Sequence, residues 1–379
     1  MNPTPDIRIL TVADLQKQGS DLRHCTLQGL GLTAVDGDWF RMTLDPTTTL
    51  LGCTLNEDQE LHAIRQGAHV FREPEGLPYH PFRTGLYTWR ELLEGYNDQK
   101  DQSRDLLIYE HFVKSRFNPP INEALWQRLH DHAIDDALRE LLEFDNGGMT
   151  TERCVGFMGG HGIRRDAPFF SLSAKTAKLL AEADYFVVSG GGPGIMEAAN
   201  LGAYMAGKPQ EALNEAIELL AEAPHYTSPG YHEKAMMVID RYPTGGDSLA
   251  IPTWFYGHEP SNLFASHIAK YFSNSLREDT LLAISLYGIV FAPGSAGTTQ
   301  EIFMDATQNH YGTFNYYSPM VFLGTHRYQI DTLIYPLLKQ LAHGRTYADL
   351  LHITDVPGEV VSFLQEHPPV PVATKTKLA

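Results

Sequence analysis

The stretch YFVVSGGGPGIMEAAN, residues 185–200, decides the fold. Tyr185 to Ser189 is a short β-rich run that ends in Gly190-Gly191-Gly192-Pro193-Gly194, and a helix is predicted from Ile195 to about Ala206. A strand that passes through glycines straight into a helix is one half of a β/α unit. A second such unit lies in GIVFAPGSAGTTQE, where the predicted strand Gly288 to Ala292 runs into Pro293-Gly294-Ser295-Ala296-Gly297-Thr298 and a helix opens at Thr299-Gln300-Glu301. Upstream, Cys154 to Met158 reads as a buried strand before Gly159-Gly160-His161-Gly162, followed by a helix over Ser171 to Ala183. Ser248 to Thr253, Met320 to Leu323 and a run near Leu351 to Thr354 read as further strands. Helices are expected over roughly Leu263 to Ile284 and around Ile330 to Ala342. Alternation at this spacing predicts an α/β fold, a Rossmann-like parallel sheet with helices on both faces.

Outward from this region the composition changes near residue 148. Asp145-Asn146-Gly147-Gly148 is a turn-rich break. A smaller mixed N-terminal domain is therefore expected over 1–148, β-rich at its start and then helical. The Rossmann-like nucleotide-binding domain follows over 149–368, with a disordered tail at 369–379. Leu22, Leu27 and Leu32 recur every five residues, which fits either a pentapeptide-repeat coil or an irregular β region. WRELLEGY, LLIYEHFVKSRF and EALWQRLHDHAIDDALRELLEF carry helical spacing, interrupted at Asn118-Pro119-Pro120.

The 379 residues include 29 basic and 46 acidic side chains, a net charge of −17 that repels nucleic acid and anionic membranes. Three scattered cysteines point to a reducing compartment. With no secretory signal and no long apolar run, the chain reads as cytoplasmic. Neither glycine turn is followed by Gly-Lys-Ser/Thr, and neither is a GxGxxG fingerprint, so a P-loop and an NAD site are disfavoured. The 17 histidines show no HExxH or paired Cys/His spacing, and Lys175, Lys208, Lys234 and Lys270 lack a Schiff-base context. No metal and no organic cofactor are expected. The long helical segment of the first half predicts a homo-oligomer, a dimer or tetramer, that covers its apolar face.

Each glycine turn joins a strand to a helix, where free amides and the positive end of the helix dipole can hold a phosphate. Glycine serves tight turns in any fold, but two such turns in one parallel sheet favour a nucleotide site. Glu301 stands in the first turn of its helix, either as an acid complementing the dipole or as a reactive carboxylate. His161 could approach a ligand. Arg164-Arg165 could clamp a phosphate or be solvated loop charges. Tyr316-Tyr317 and Trp254-Phe255-Tyr256 could stack on a base or belong to the core.

SGGGPGIMEAAN and PGSAGTTQE resemble the paired motifs GGGxxGLM and PGGxGTxxE of the Lonely Guy family, often labelled lysine decarboxylases. With AIPTWFYGHEPSN and SLRED between them, the stretch from about 153 to 325 looks most like the bacterial pyrimidine/purine nucleotide 5′-monophosphate nucleosidases. Residues 1 to about 145 show no such match. The resemblance implies hydrolysis of the N-glycosidic bond of a nucleoside 5′-monophosphate, giving free base and ribose 5-phosphate without metal or cofactor. The alternative is a non-catalytic nucleotide sensor of the same fold. By the same resemblance Glu301 matches the catalytic glutamate, and Arg277 is the nearest match to the catalytic arginine. Gly294, Gly297, Thr298 and Thr299 match one loop; Gly190, Gly191, Gly192, Gly194 and Met196 match the other. Gly160 and His161, after the first strand, join the substrate-binding set, as does Ser295. Three departures stand out: Ser295 replaces a motif glycine, Gln300 replaces an acid, and Glu278 occupies the gapless arginine position. On a helix, one residue of register is a rotation of about 100°.

Overall fold

The computed structural model describes residues 7–97, 102–144 and 148–373. The break expected at Asp145-Asn146-Gly147 and the last six residues of the tail lie outside these. The chain divides into two compact units, 1–86 with 117–137 and 87–116 with 138–379. This is not the single division at 148 that composition suggests. Residues 87–116 belong to the larger unit for a physical reason: Asp105 is fully buried there against Lys270.

The smaller unit holds a four-stranded parallel sheet in the order β1 (Ile7–Ile9), β2 (Cys25–Gln28), β3 (Thr49–Leu51), β4 (His69–Phe71). Short helices Val12–Gln18 and Glu57–Arg65 occupy two of the connections. The second helix is closed by a capping box in which the Asn56 side chain accepts from the Gln59 amide and the Gln59 side chain accepts from the Asn56 amide. Leu22, Leu27 and Leu32 are all fully buried. Parallel pairs recur beside them at the same five-residue step, Asp21 with Thr43, Thr26 with Thr49 and Gly31 with Thr54, as stacked turns of a pentapeptide coil place them. The stack continues through Ile7 with Cys25 and Thr49 with His69.

In the larger unit, helices Trp89–Leu92 and Arg104–Val113 come first, and the long helix Ile121–Leu142 ends in it. Then follow β5 (Cys154–Met158), β6 (Phe186–Ser189), β7 (Ser248–Ala250), β8 (His267–Ile268), β9 (Ile289–Phe291), β10 (Tyr316–Tyr317), β11 (Met320–Leu323), β12 (Leu351–Thr354) and β13 (Val370–Pro371). Seven of these form one parallel sheet ordered β12-β11-β9-β5-β6-β7-β8. The predicted α/β, Rossmann-like fold class is therefore observed. Val155, Phe157, Val187, Val290, Val321 and Leu323 fill its core beneath the helices Pro168–Glu182 and Ile195–Tyr204. Those helices cross so closely that a Cβ on Gly202 would stand 2.2 Å from the Ala174 carbonyl oxygen.

Two sequence readings need correction. The span expected as one helix from Leu263 to Ile284 contains β8 first, and the helix is only Asn274–Ile284. Leu249 and Ala250 of β7 recruit His267 and Ile268 into the sheet, and that long-range pairing overrides a locally helical pattern. The start of the tail is ordered: Val370–Pro371 pairs antiparallel with Tyr316–Tyr317. No helix among the described residues is long and apolar enough to cross a membrane.

Candidate active site

The strand order sets the location of the site. From β5 the chain builds outward through β6, β7 and β8, then returns to the other side of β5 to lay down β9. Ligands of open parallel sheets bind at such a reversal, beyond the carboxyl ends of the strands. Here the loops after β5 and β9 lie directly on each other. The Ala292 amide donates to the Met158 carbonyl at 2.8 Å and the Gly160 amide to the Pro293 carbonyl at 3.0 Å. A Cβ on Gly294 would stand 2.9 Å from the Gly160 nitrogen and 2.1 Å from Thr298 Oγ1. Glycine is required there by the neighbouring loop.

Over this junction opens a cavity of about 580 Å³. The loop after β5 contributes Gly160 and His161 to its wall, the loop after β6 and the helix it enters contribute Gly190, Gly192 and Met196, and the β9 loop and its helix start contribute Ser295, Gly297 and Thr298. Arg277 and Glu301 also reach the wall, from the helices Asn274–Ile284 and Ala296–Tyr311; the second helix opens at Ala296 rather than Thr299, so Glu301 lies beyond its first turn and not in it as expected. Four expected residues do not line it: Gly191, Gly194, Gly294 and Thr299. Gly191 has φ +76° and Gly194 φ +70°. A Cβ on Gly191 would meet Ala250 and Pro252 at 2.9 Å, and one on Gly194 would meet the Gly160 carbonyl oxygen at 2.4 Å. Their glycine character answers to the protein itself. Thr299 Oγ1 turns back to donate to the Ser295 carbonyl at 3.0 Å. Gly297 is different: beyond its chain neighbours and the backbone of its own helix, no heavy atom lies within 4 Å of where its Cβ would be.

Arg277 and Glu301 meet across the cavity wall. Arg277 Nη1 donates to Glu301 Oε1 at 3.2 Å, while its Nε donates to the Ile251 carbonyl at 2.8 Å. The guanidinium is 9% exposed and the carboxylate 15%. A Cβ on Gly190 would stand 2.5 Å from Arg277 Nη2, so that glycine makes room for the arginine. Burial raises the Glu301 carboxyl above its ordinary 4.5, against the lowering effect of the Arg277 charge and with a smaller push from Glu278. Glu278, at the gapless arginine position, also lines the cavity. Its carboxylate accepts from Asn274 Nδ2 at 2.7 Å and from Gln300 Nε2 at 3.0 Å. The rotation between adjacent helical positions thus brings both side chains to the cavity, the long arginine reaching Glu301 and the shorter glutamate binding Gln300.

One turn beyond Glu301 on the same helix sits Asp305, 2% exposed, with Oδ2 left without a hydrogen bond. Burial holds its carboxyl well above the usual range. Tyr328 donates to the Ala292 carbonyl at 2.7 Å and fixes the entry to the β9 loop.

Several wall residues escaped the sequence reading, chiefly Thr253 and Glu259. Glu259 Oε1 lies 3.7 Å from His161 Nδ1. The signal was present: the segment YGHEPSN follows the carboxyl end of β7, a strand of the same parallel sheet. Of the candidate base-stacking residues, Trp254 is fully buried, Tyr316 and Tyr317 pair with β13, and Tyr256 lines the cavity with 62% of its surface exposed. Burial, followed by the Glu278 charge, raises its hydroxyl pKa. The arginine pair splits. Arg164 binds Asp166 in the exposed loop, whereas Arg165 is 1% exposed and bound to Glu197, with Nε 2.9 Å from Oε2. Arg165 is thus a core ion pair that seats the helix Ile195–Tyr204. No group of three His, Cys, Asp or Glu side chains able to hold a metal occurs among the described residues.

No family model and no curated protein matches the chain. Among solved structures it is similar to the molybdenum cofactor binding protein from the phototrophic bacterium Rippkaea orientalis, at 12% identity and a TM-score of 0.37, covering 57% of this chain and 96% of that one. It is similar also to the Moco carrier protein from Chlamydomonas reinhardtii, at 15% identity and a TM-score of 0.36, with 57% and 96% covered.

Proposed function

We propose that this chain hydrolyses nucleoside 5′-monophosphates at the N-glycosidic bond, releasing base and ribose 5-phosphate. The observation that carries the reading is the partly buried Arg277–Glu301 pair facing a cavity between glycine loops at the sheet reversal. Phosphate binds at the start of the helix Ala296–Tyr311, where first-turn amides have no partners within the helix. The open space at Gly297 suits that approach. With a net charge of −17, the chain holds the phosphate by local amides rather than by a basic face. The Tyr256 ring offers the base an aromatic face.

Cleavage builds positive charge on the ribose, as in glycoside hydrolysis. Ionised Glu301 stabilises that charge and takes a proton from the attacking water. The water oxygen bonds to C1′, and the electron pair of the broken C–N bond leaves with the base, which takes a proton from solvent while Glu301 returns to solvent the one it accepted. Arg277 keeps Glu301 ionised and fixes its orientation. The phosphate supplies binding energy remote from the reacting bond.

The test is a panel of nucleoside 5′-monophosphates assayed for free base and ribose 5-phosphate. Turnover of at least one nucleotide, absent for its nucleoside and unaffected by chelators, is expected. A second reading, a nucleotide-binding protein without turnover, is favoured by one feature: Arg277 and Glu301 already neutralise each other. Tight binding with no base release across the panel would select it. Both readings carry the expectation of a cytoplasmic homo-oligomer, a dimer or tetramer, which light scattering checks.

A further inference from the structure

The segment 254–261 forms one wall of the cavity through Tyr256, Gly257 and Glu259, and it has no helix or strand of its own. Both of its ends converge on one buried ion pair. Asp105, in the first turn of the helix Arg104–Val113, is 2% exposed, and Lys270, just beyond β8, is 1% exposed. Lys270 Nζ lies 2.8 Å from Asp105 Oδ1 and 2.9 Å from Oδ2. At the start of the segment, Trp254 Nε1 donates to Asp105 Oδ1 at 2.7 Å. At its end, Lys270 Nζ donates to Ser261 Oγ at 3.1 Å. Arg116 Nη1 adds a bond to the Phe255 carbonyl at 2.8 Å.

A buried ion pair is a poor stabiliser, because desolvating two charges offsets most of their attraction, and an apolar pair of similar volume is often as stable. What the charges supply here is direction: each spends a hydrogen bond on one end of the same loop. We infer that Asp105 and Lys270 are positioning residues for the ligand site, holding the wall that carries Tyr256 and Glu259 in its binding geometry. A wall fixed in advance spares the ligand the cost of ordering it. The identity of the ligand used below rests on the proposed function; the inference about the wall does not.

The test separates position from stability. The double variant Asp105→Leu/Lys270→Met removes both charges and both loop anchors while keeping apolar volume. Ser261→Ala removes one anchor and leaves the ion pair intact. We expect the double variant to melt close to the wild type, with amides of 255–259 exchanging roughly tenfold faster and those of the sheet unchanged. KM for the best nucleotide substrate rises roughly tenfold in the double variant and about threefold in Ser261→Ala, while kcat stays within about threefold. Wild-type exchange and KM in both variants would overturn the inference. If the double variant fails to fold, Ser261→Ala decides alone. If the wild type cleaves no nucleotide, the proposed function fails, and loop exchange still decides the role of the pair.

Discussion

Replacing Glu301 by Gln keeps the side-chain volume and a hydrogen-bond acceptor for Arg277 but removes the negative charge. At 3.2 Å the lost Coulomb attraction to Arg277 is about 5 kcal/mol for an effective dielectric constant of about 20. Most of this is returned, because a carboxylate is costly to bury and the Ile251 carbonyl still accepts from the guanidinium. The net stability loss should be about 1–2 kcal/mol, or a melting-point drop of roughly 2–8 °C. Turnover should fall far more, on the order of 10²-fold or greater, because the carboxylate opposes a charge that exists only in the transition state. Nucleotide affinity should hold or improve, since the removed charge has the sign of the phosphate. Base release, nucleotide affinity and melting temperature are measured together on wild type and variant. Unchanged turnover in an active wild type would remove Glu301 from the chemistry and leave it as the ion-pair partner of Arg277.

The pH dependence has a fixed sign. Burial raises the folded Glu301 carboxyl above 4.5, so turnover should climb with pH through that raised value, and an acidic limb at or below 4.5 would contradict the assignment. Asp305 also has a raised folded pKa, so its contribution to stability is present below its ordinary 3.8 and lost as pH rises toward the folded value. Asp305→Asn should therefore gain on the wild type as pH rises above 3.8 toward the folded value, by up to about 1.4 kcal/mol per pH unit, as read by urea unfolding; parallel curves would show that Asp305 ionises freely. Gly297→Val should abolish nucleotide binding in a folded protein, because its Cβ enters open space beside the helix start. Gly191→Val should instead destabilise the fold, since φ +76° and contacts at 2.9 Å leave no room; a stable Gly191→Val would refute that distinction.

The glycine turns were legible in the sequence because a β/α junction is a local event: an apolar run, a glycine break and a helical period within some 20 residues. The same locality exposed Glu301 and the three helical segments from Trp89 to Leu142. It failed where a distant partner made the decision. His267–Ile268 became a strand because β7 stands beside it, and residues 87–116 joined the larger unit because Asp105 is buried against Lys270. Sequence could not say which glycines face a ligand. Gly190 yields to Arg277, Gly191 to Pro252, Gly194 to Gly160, and only geometry leaves Gly297 open.

By itself, then, the sequence determined the α/β class and the two loops at the strand ends, written in periodicities and breaks between near neighbours, but it set the start of the helix that carries Glu301 three residues late. Only the tertiary structure decided that β9 lies beside β5, and that order brings Arg277 within 3.2 Å of Glu301 and sets Tyr256 and Glu259 around them. Helical register alone could not decide it, because a long flexible side chain can reach past a one-residue offset once the sheet has fixed where both helices begin.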